Sequence, residues 1–128
     1  MPTTRQTRET KKEYFQRLRD DWQRAKAMSQ TQRFEAMYTE AQRLGLKVSA
    51  TGFTFCKLQM EKLGLEGTPY IDTKTYKAWR ESGYTVKKGE KSKIKGMTFI
   101  RTDEKDEDSY MFPKAYSLFH RTQVEEIK

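Results

Sequence analysis

Five lysines fall within nine positions of the stretch GYTVKKGEKSKIKGMTFI, residues 83–100: Lys87, Lys88, Lys91, Lys93 and Lys95. Ammonium groups at that density bind phosphate. On a strand, Lys91, Lys93 and Lys95 share one face, about 6.5–7 Å apart at about 3.3 Å of rise per residue. That comb approaches the phosphate spacing of a partly extended single strand. Its mutual repulsion is unfavourable in isolation and relieved beside a polyanion. The plain structural alternative is an edge strand that carries Lys to block edge-to-edge pairing.

Nucleotide hydrolysis is excluded by the same residues. A phosphate-cradling loop needs Gly, four residues, then Gly-Lys-Ser/Thr between a strand and a helix. Here five residues separate Gly83 from Gly89, Glu90 stands where the Lys belongs, and the order is helix, loop, strand. Cys56 is the lone cysteine and His120 the lone histidine, so neither a disulfide nor a thiolate or imidazole metal cluster is expected. The carboxylates of Asp103–Asp108 lie in an apolar-poor run that reads as a solvated loop. No catalytic residue, metal or cofactor is therefore expected, and the protein is read as non-enzymatic.

The 128 residues carry a formal charge of +8 and a sequence pI of about 9.6, which points to a polyanionic partner. Residues 1–48 hold 11 basic and 6 acidic side chains, and residues 84–100 hold five Lys against Glu90 alone. Seven Tyr, seven Phe and two Trp supply a modest core for a single domain spanning 1–128. No apolar run is long enough to cross a membrane and no hydrophobic signal core opens the chain, so a cytoplasmic protein is expected.

The elements that must position the lysines follow from periodicity. Tyr14/Phe15, Leu18, Trp22 and Ala25 predict a helix over about 9–28, and Phe34, Met37/Tyr38, Ala41 and Leu44 a second, capped by Ser29 or Thr31 and ended by Gly45. Together they form a basic helical hairpin, 9–45. A short helix is expected from about Thr54 to Leu63, and another in DTKTYKAWRESG, capped by Asp72 or Thr73 and stopped by Gly83. After Gly83 the period changes to two. Tyr84–Val86 predicts a strand, Gly89 a turn, and Ile94 to Phe99 or Arg101 a second strand with a candidate bulge at Gly96. YMF and AYSLFH return to the sheet with Pro113 interrupting them, and TQVEEIK is expected to form a last helical turn. The class is α+β: an N-terminal helical hairpin, further short helices, then a small, mainly antiparallel sheet.

Single-strand binders pair a basic groove with exposed aromatic faces on which bases stack. Tyr84 and Tyr116 are the rings expected to do so, because their hydroxyls tolerate water. Trp79, at helical spacing, is expected in the core. Arg80, Arg101 and Arg121 extend the basic track.

TYKAWRESGYTVKKGEKSKI, residues 75–94, resembles the N-terminal domain of ArdC-type antirestriction proteins, in which Trp-x-x-x-Gly leads through a Val-basic-Lys-Gly-Glu-Lys pattern into a strand. AYSLFHRTQVEEI, 115–127, resembles the closing strand of that family, so the likeness covers about 49–127. It implies a domain that binds single-stranded DNA with little sequence preference, carried by a mobile element such as a plasmid or phage, with an antirestriction or DNA-transfer role. Lys87, Lys88 and Lys91 match the pattern as phosphate contacts, Trp79, Val86 and Gly89 as structural positions, and Gln123 by position as a further contact. His120 stands where an Asn is usual, and Gly52 lies in an opening that usually carries an Asn. The zinc-peptidase-like domain of larger members, with its His-Glu-x-x-His motif, has no counterpart here, and the 9–45 hairpin has none in the family. The partner expected is single-stranded DNA. The alternative is a mobile-element inhibitor that docks directly on a host nuclease through the basic hairpin.

Overall fold

The computed structural model describes residues 9–101 and 111–128, and all their side chains except those of residues 100, 101, 111 and 112. The acidic stretch 103–108, the Tyr110 ring and the Arg101 side chain lie outside the described residues. Helices α1 (Lys11–Ser29), α2 (Gln32–Arg43) and α3 (Ala50–Lys62) come first. Then follow β1 (Thr73–Lys74), α4 (Tyr76–Glu81), β2 (Tyr84–Val86), β3 (Ile94–Arg101) and β4 (Met111–His120). A 3₁₀ turn (Arg121–Gln123) and β5 (Val124–Glu126) close the chain. The class is α+β, as expected, and no described helix is long and apolar enough to cross a membrane.

Thr10 starts α1 by accepting the Glu13 N–H at 3.1 Å, while its hydroxyl donates to the Glu13 carboxylate. The two-residue link after Ser29 gives the expected succession of two helices, and α3 is the main partner of α1. Leu18 and Ala25 of α1 pack with Phe55 of α3 and Met97 of β3, and Trp22 meets both Phe55 and Phe99 at ring-centroid distances of 5.6 and 5.2 Å. A second cluster joins Cys56 and Met60 of α3 to Ile94 and Leu118, with Tyr70 and Tyr116 against it. The two faces of the β3–β4 ribbon thus feed two clusters, and α3 takes part in both.

Helix α3 begins four residues earlier than its expected start because Ser49 caps it, accepting the Gly52 N–H at 3.0 Å. Phe53 to Cys56 are all buried, so this helix is apolar nearly all round and its period is masked. The α4 cap is Thr75, which accepts the Ala78 N–H at 3.1 Å. Asp72 and Thr73 serve elsewhere: Thr73 and Lys74 pair with His120 and Phe119 of β4.

The sheet departs from expectation in three places. Strand β2 pairs with β5, Tyr84 opposite Glu126 and Val86 opposite Val124, so the tail is a 3₁₀ turn and a strand rather than a helical turn. The β-branched Val124, one face of a period-two pattern, closes this small second sheet. Gly96 is not a bulge, since the β3–β4 register runs unbroken from Ile94↔Leu118 to Arg101↔Met111. It sits opposite Tyr116, whose ring lies where a Gly96 Cβ would stand. Pro113, finally, does not interrupt β4. The N–H and C=O of Lys95 both turn outward, to the Gln59 amide at 2.8 and 2.7 Å, so Lys95↔Ser117 is a non-hydrogen-bonded pair. Alternation puts Phe99↔Pro113 in the same class, where a missing N–H breaks no ladder bond.

Candidate nucleic-acid interface

The lysine stretch is shaped by its backbone. Lys87 N–H bonds the Gln123 carbonyl, and Glu90 N–H returns to the Lys87 carbonyl at 3.1 Å with Gly89 at φ +87°, a tight turn only glycine enters freely. Residues 91–93 are irregular and the ladder starts at Ile94, so the expected strand comb is only partly a strand. Exposure nonetheless alternates. Lys91, Lys93 and Lys95 are exposed, while Ser92 turns inward and donates to the Leu118 carbonyl at 2.8 Å and Ile94 is buried. The three odd-numbered lysines are therefore all open to solvent.

Gln123 positions this stretch from within. It is only 3% exposed; its amide nitrogen donates to the Lys91 carbonyl at 2.7 Å and its oxygen accepts the His120 N–H at 3.0 Å. With both ends engaged and no surface, its side chain holds the loop and does not reach a ligand. His120 is structural too. Its Nδ1 accepts the Thr122 N–H, so Nε2 carries the proton and donates to the Glu66 carbonyl at 2.6 Å.

The remaining sequence-derived candidates divide by location. Arg121 lies at the α4/β5 end, 2.8 Å from the Asp72 carboxylate and over the Trp79 ring. Burial pulls the Asp72 carboxyl upward, but the Thr68 N–H and the Arg121 guanidinium outweigh it and hold the group below its ordinary value. Lys74 also lies over Trp79, and Lys87 Nζ donates to the Thr122 carbonyl at 3.2 Å. Trp79, 1% exposed, anchors this end through its indole N–H to the Phe119 carbonyl at 2.8 Å. Tyr84 is half-buried, edge-on to Trp79. Tyr116 is half-buried, and its hydroxyl pairs with that of Tyr70 at 2.7 Å. Burial raises the Tyr70 phenol, and Tyr116 raises it further. Among the described residues the exposed ring is Tyr76, 50% exposed, with Arg80 over it, and the sequence did not mark it as a stacking candidate.

Lys95 leads elsewhere. It lines a cleft of about 320 Å³ between α1, α3 and the start of β3, floored by Leu18, Phe55 and Leu58. Arg24 and Lys62 stand on its walls with Arg17 and Asp21. Arg17 is bound to Glu9 at 2.9 Å and lies 4.0 Å from Asp21. Arg24 and Lys62 are exposed and have no ion-pair partner among the described residues. In the sequence both are simply part of the general positive charge, and no local signal marks them as neighbours of Lys95.

Burial pushes the Cys56 thiol up to about 11, with Thr73 Oγ1 3.4 Å away, so it is a protonated, inert core group. No group of three or more His, Cys, Asp and Glu that suits a metal ion gathers among the described residues. Comparison with protein-family models, with curated proteins and with solved structures finds no match to this chain.

Proposed function

We propose that the protein is a non-enzymatic module that binds single-stranded DNA largely without regard to sequence, through the 88–95 stretch. The observation that carries this reading is the run of exposed Lys88, Lys91 and Lys93, for which no acceptor is found among the described residues. A buried glutamine, a glycine turn and an inward serine hold the backbone beneath them. Unpaired cations on a held backbone suit a phosphate chain: their mutual repulsion falls when the ligand arrives and the backbone beneath them need not be ordered on binding. The resemblance of residues 75–94 and 115–127 to ArdC-type N-terminal domains supports the same reading and suggests an antirestriction or transfer role for a mobile element.

Fluorescence anisotropy with a labelled 20-nucleotide single strand and the matching duplex tests it. Four to six phosphate contacts give a log–log salt slope of about −2.8 to −4.2 for the single strand. Equal or absent binding to both forms would remove the reading and turn attention to a protein partner such as a host nuclease.

A further inference from the structure

The lysine stretch does not end on open surface. Its last member, Lys95, is also a wall of the α1–α3 cleft. Three cations without an acidic partner among the described residues, Arg24, Lys62 and Lys95, surround a floor made by Leu18, Phe55 and Leu58. An apolar floor inside a rim that is cationic except for Asp21, which lies 4.0 Å from Arg17, fits a ligand that joins a flat, weakly polar body to a negative charge. The volume lies at the small end of the usual ligand-cleft range of about 300–1,000 Å³. It therefore suits one unit of a polymer rather than several.

We infer that the cleft seats one nucleotide of the bound single strand, its base against Leu58 and the edge of Phe55 and its flanking phosphates on Lys95, Lys62 and Arg24. This rests on the single-strand reading above and extends it, because the 88–95 lysines alone account only for backbone attraction. Lys91, Lys93 and Lys95 are exposed in succession along the chain, and the last of them lines the cleft, so a backbone that follows the chain past them arrives at the cleft mouth. The Gln59 amide, clamped on both backbone groups of Lys95, fixes that residue against α3 and hence against Lys62 and Leu58 of the same helix. A duplex keeps its bases stacked inside and cannot offer one to the floor without unpairing, so the cleft adds a preference for the single strand that charge alone does not give.

The test compares a labelled thymidine 20-mer with an abasic 20-mer of the same backbone, on the wild-type protein and two variants. Expected for the wild type is a preference for the base-bearing strand of about tenfold, the low-to-middle range for one stacked or seated base. Leu58→Gln should abolish that preference. Arg24→Ala/Lys62→Ala changes two exposed side chains, so its folding is safe. It should weaken thymidine binding about tenfold and reduce the salt slope by about 1.4, at about 0.7 per single-strand contact. Equal binding of the two strands by the wild type would overturn the seating of a base while leaving the electrostatic reading intact. Unchanged binding by Arg24→Ala/Lys62→Ala would overturn the cleft as part of the path. Failure of the wild type to bind either strand would remove the single-strand reading itself, and the inference with it.

Discussion

Two basic regions of this molecule have similar side chains and opposite fates. At the α4/β5 end, Arg121 is held by Asp72 and lies over Trp79, Lys74 lies over the same ring, and Lys87 reaches the Thr122 carbonyl. Along residues 88–95 and into the α1–α3 cleft, Lys88, Lys91, Lys93, Arg24 and Lys62 find no acidic partner among the described residues. Formal charge is alike in the two places, but available charge is not. Cations already satisfied by the chain fasten elements together, whereas unsatisfied ones retain a potential that a polyanion relieves. The first region should therefore respond to mutation in stability and the second in binding.

The largest effect expected is at the centre of the first region. Trp79→Ala empties a nearly sealed site and strands the Phe119 carbonyl, and should destabilise the protein by about 3–5 kcal/mol in denaturant unfolding. Next comes the second region. Lys88→Ala/Lys91→Ala/Lys93→Ala should leave the unfolding midpoint close to wild type yet weaken single-strand binding more than about tenfold. It should also flatten the salt slope by about 2, three contacts at about 0.7 each. A large loss of stability with intact binding would reverse the comparison.

Gln123→Ala joins the two regions, since the amide ties His120 to Lys91. Leaving the Lys91 carbonyl and the His120 N–H unpaired should cost about 1–3 kcal/mol and weaken binding modestly by loosening the 88–95 backbone. Arg121→Ala should cost less, about 0.5–1 kcal/mol for a half-exposed pair, with DNA affinity nearly unchanged. A loss of affinity as large as that of the triple lysine variant would show that the α4/β5 end also carries ligand. The smallest effect is in pH dependence. Because Asp72 is depressed in the folded state, its contribution is present above the unfolded carboxylate value of about 3.9 and lost as pH falls through the lower folded one. Thermal unfolding of Asp72→Asn should therefore fall less steeply than wild type on acidification across that window.

Much of this arrangement was legible in the residues. The α+β class, the stripe of α1, the stop at Gly83 and the turn at Gly89 all follow from period and backbone preference. The pairing partners did not. Strand β2 has three residues and takes its partner from the far end of the chain, and nothing local in TYKAWRESGYTV says that Val86 will face Val124. Gly96 looked like a bulge because a strand glycine is usually read alone, whereas its reason lies across the ladder in the Tyr116 ring. The candidate site was legible in its lysines and obscure in its setting. The start of α3 is set by Ser49, a cap that lies upstream of the apolar run and that period alone does not mark. The proximity of Arg24, Lys62 and Lys95 depends on α3 packing against both α1 and β3. Gln123 shows the converse error: a polar residue in a suggestive motif whose amide turns inward to hold the backbone.

The most direct test of the division between satisfied and available charge is a residue-resolved one. Two-dimensional ¹H–¹⁵N NMR spectra of the whole protein, titrated with an unlabelled thymidine 20-mer, report each backbone amide separately. Shifts are expected to concentrate at residues 88–95 and on the cleft-facing turns around Arg24, Leu58 and Lys62, with the amides of Lys74, Arg80 and Arg121 left in place. Shifts concentrated instead at α4 and the 121–126 segment, or none anywhere at saturating DNA, would contradict it.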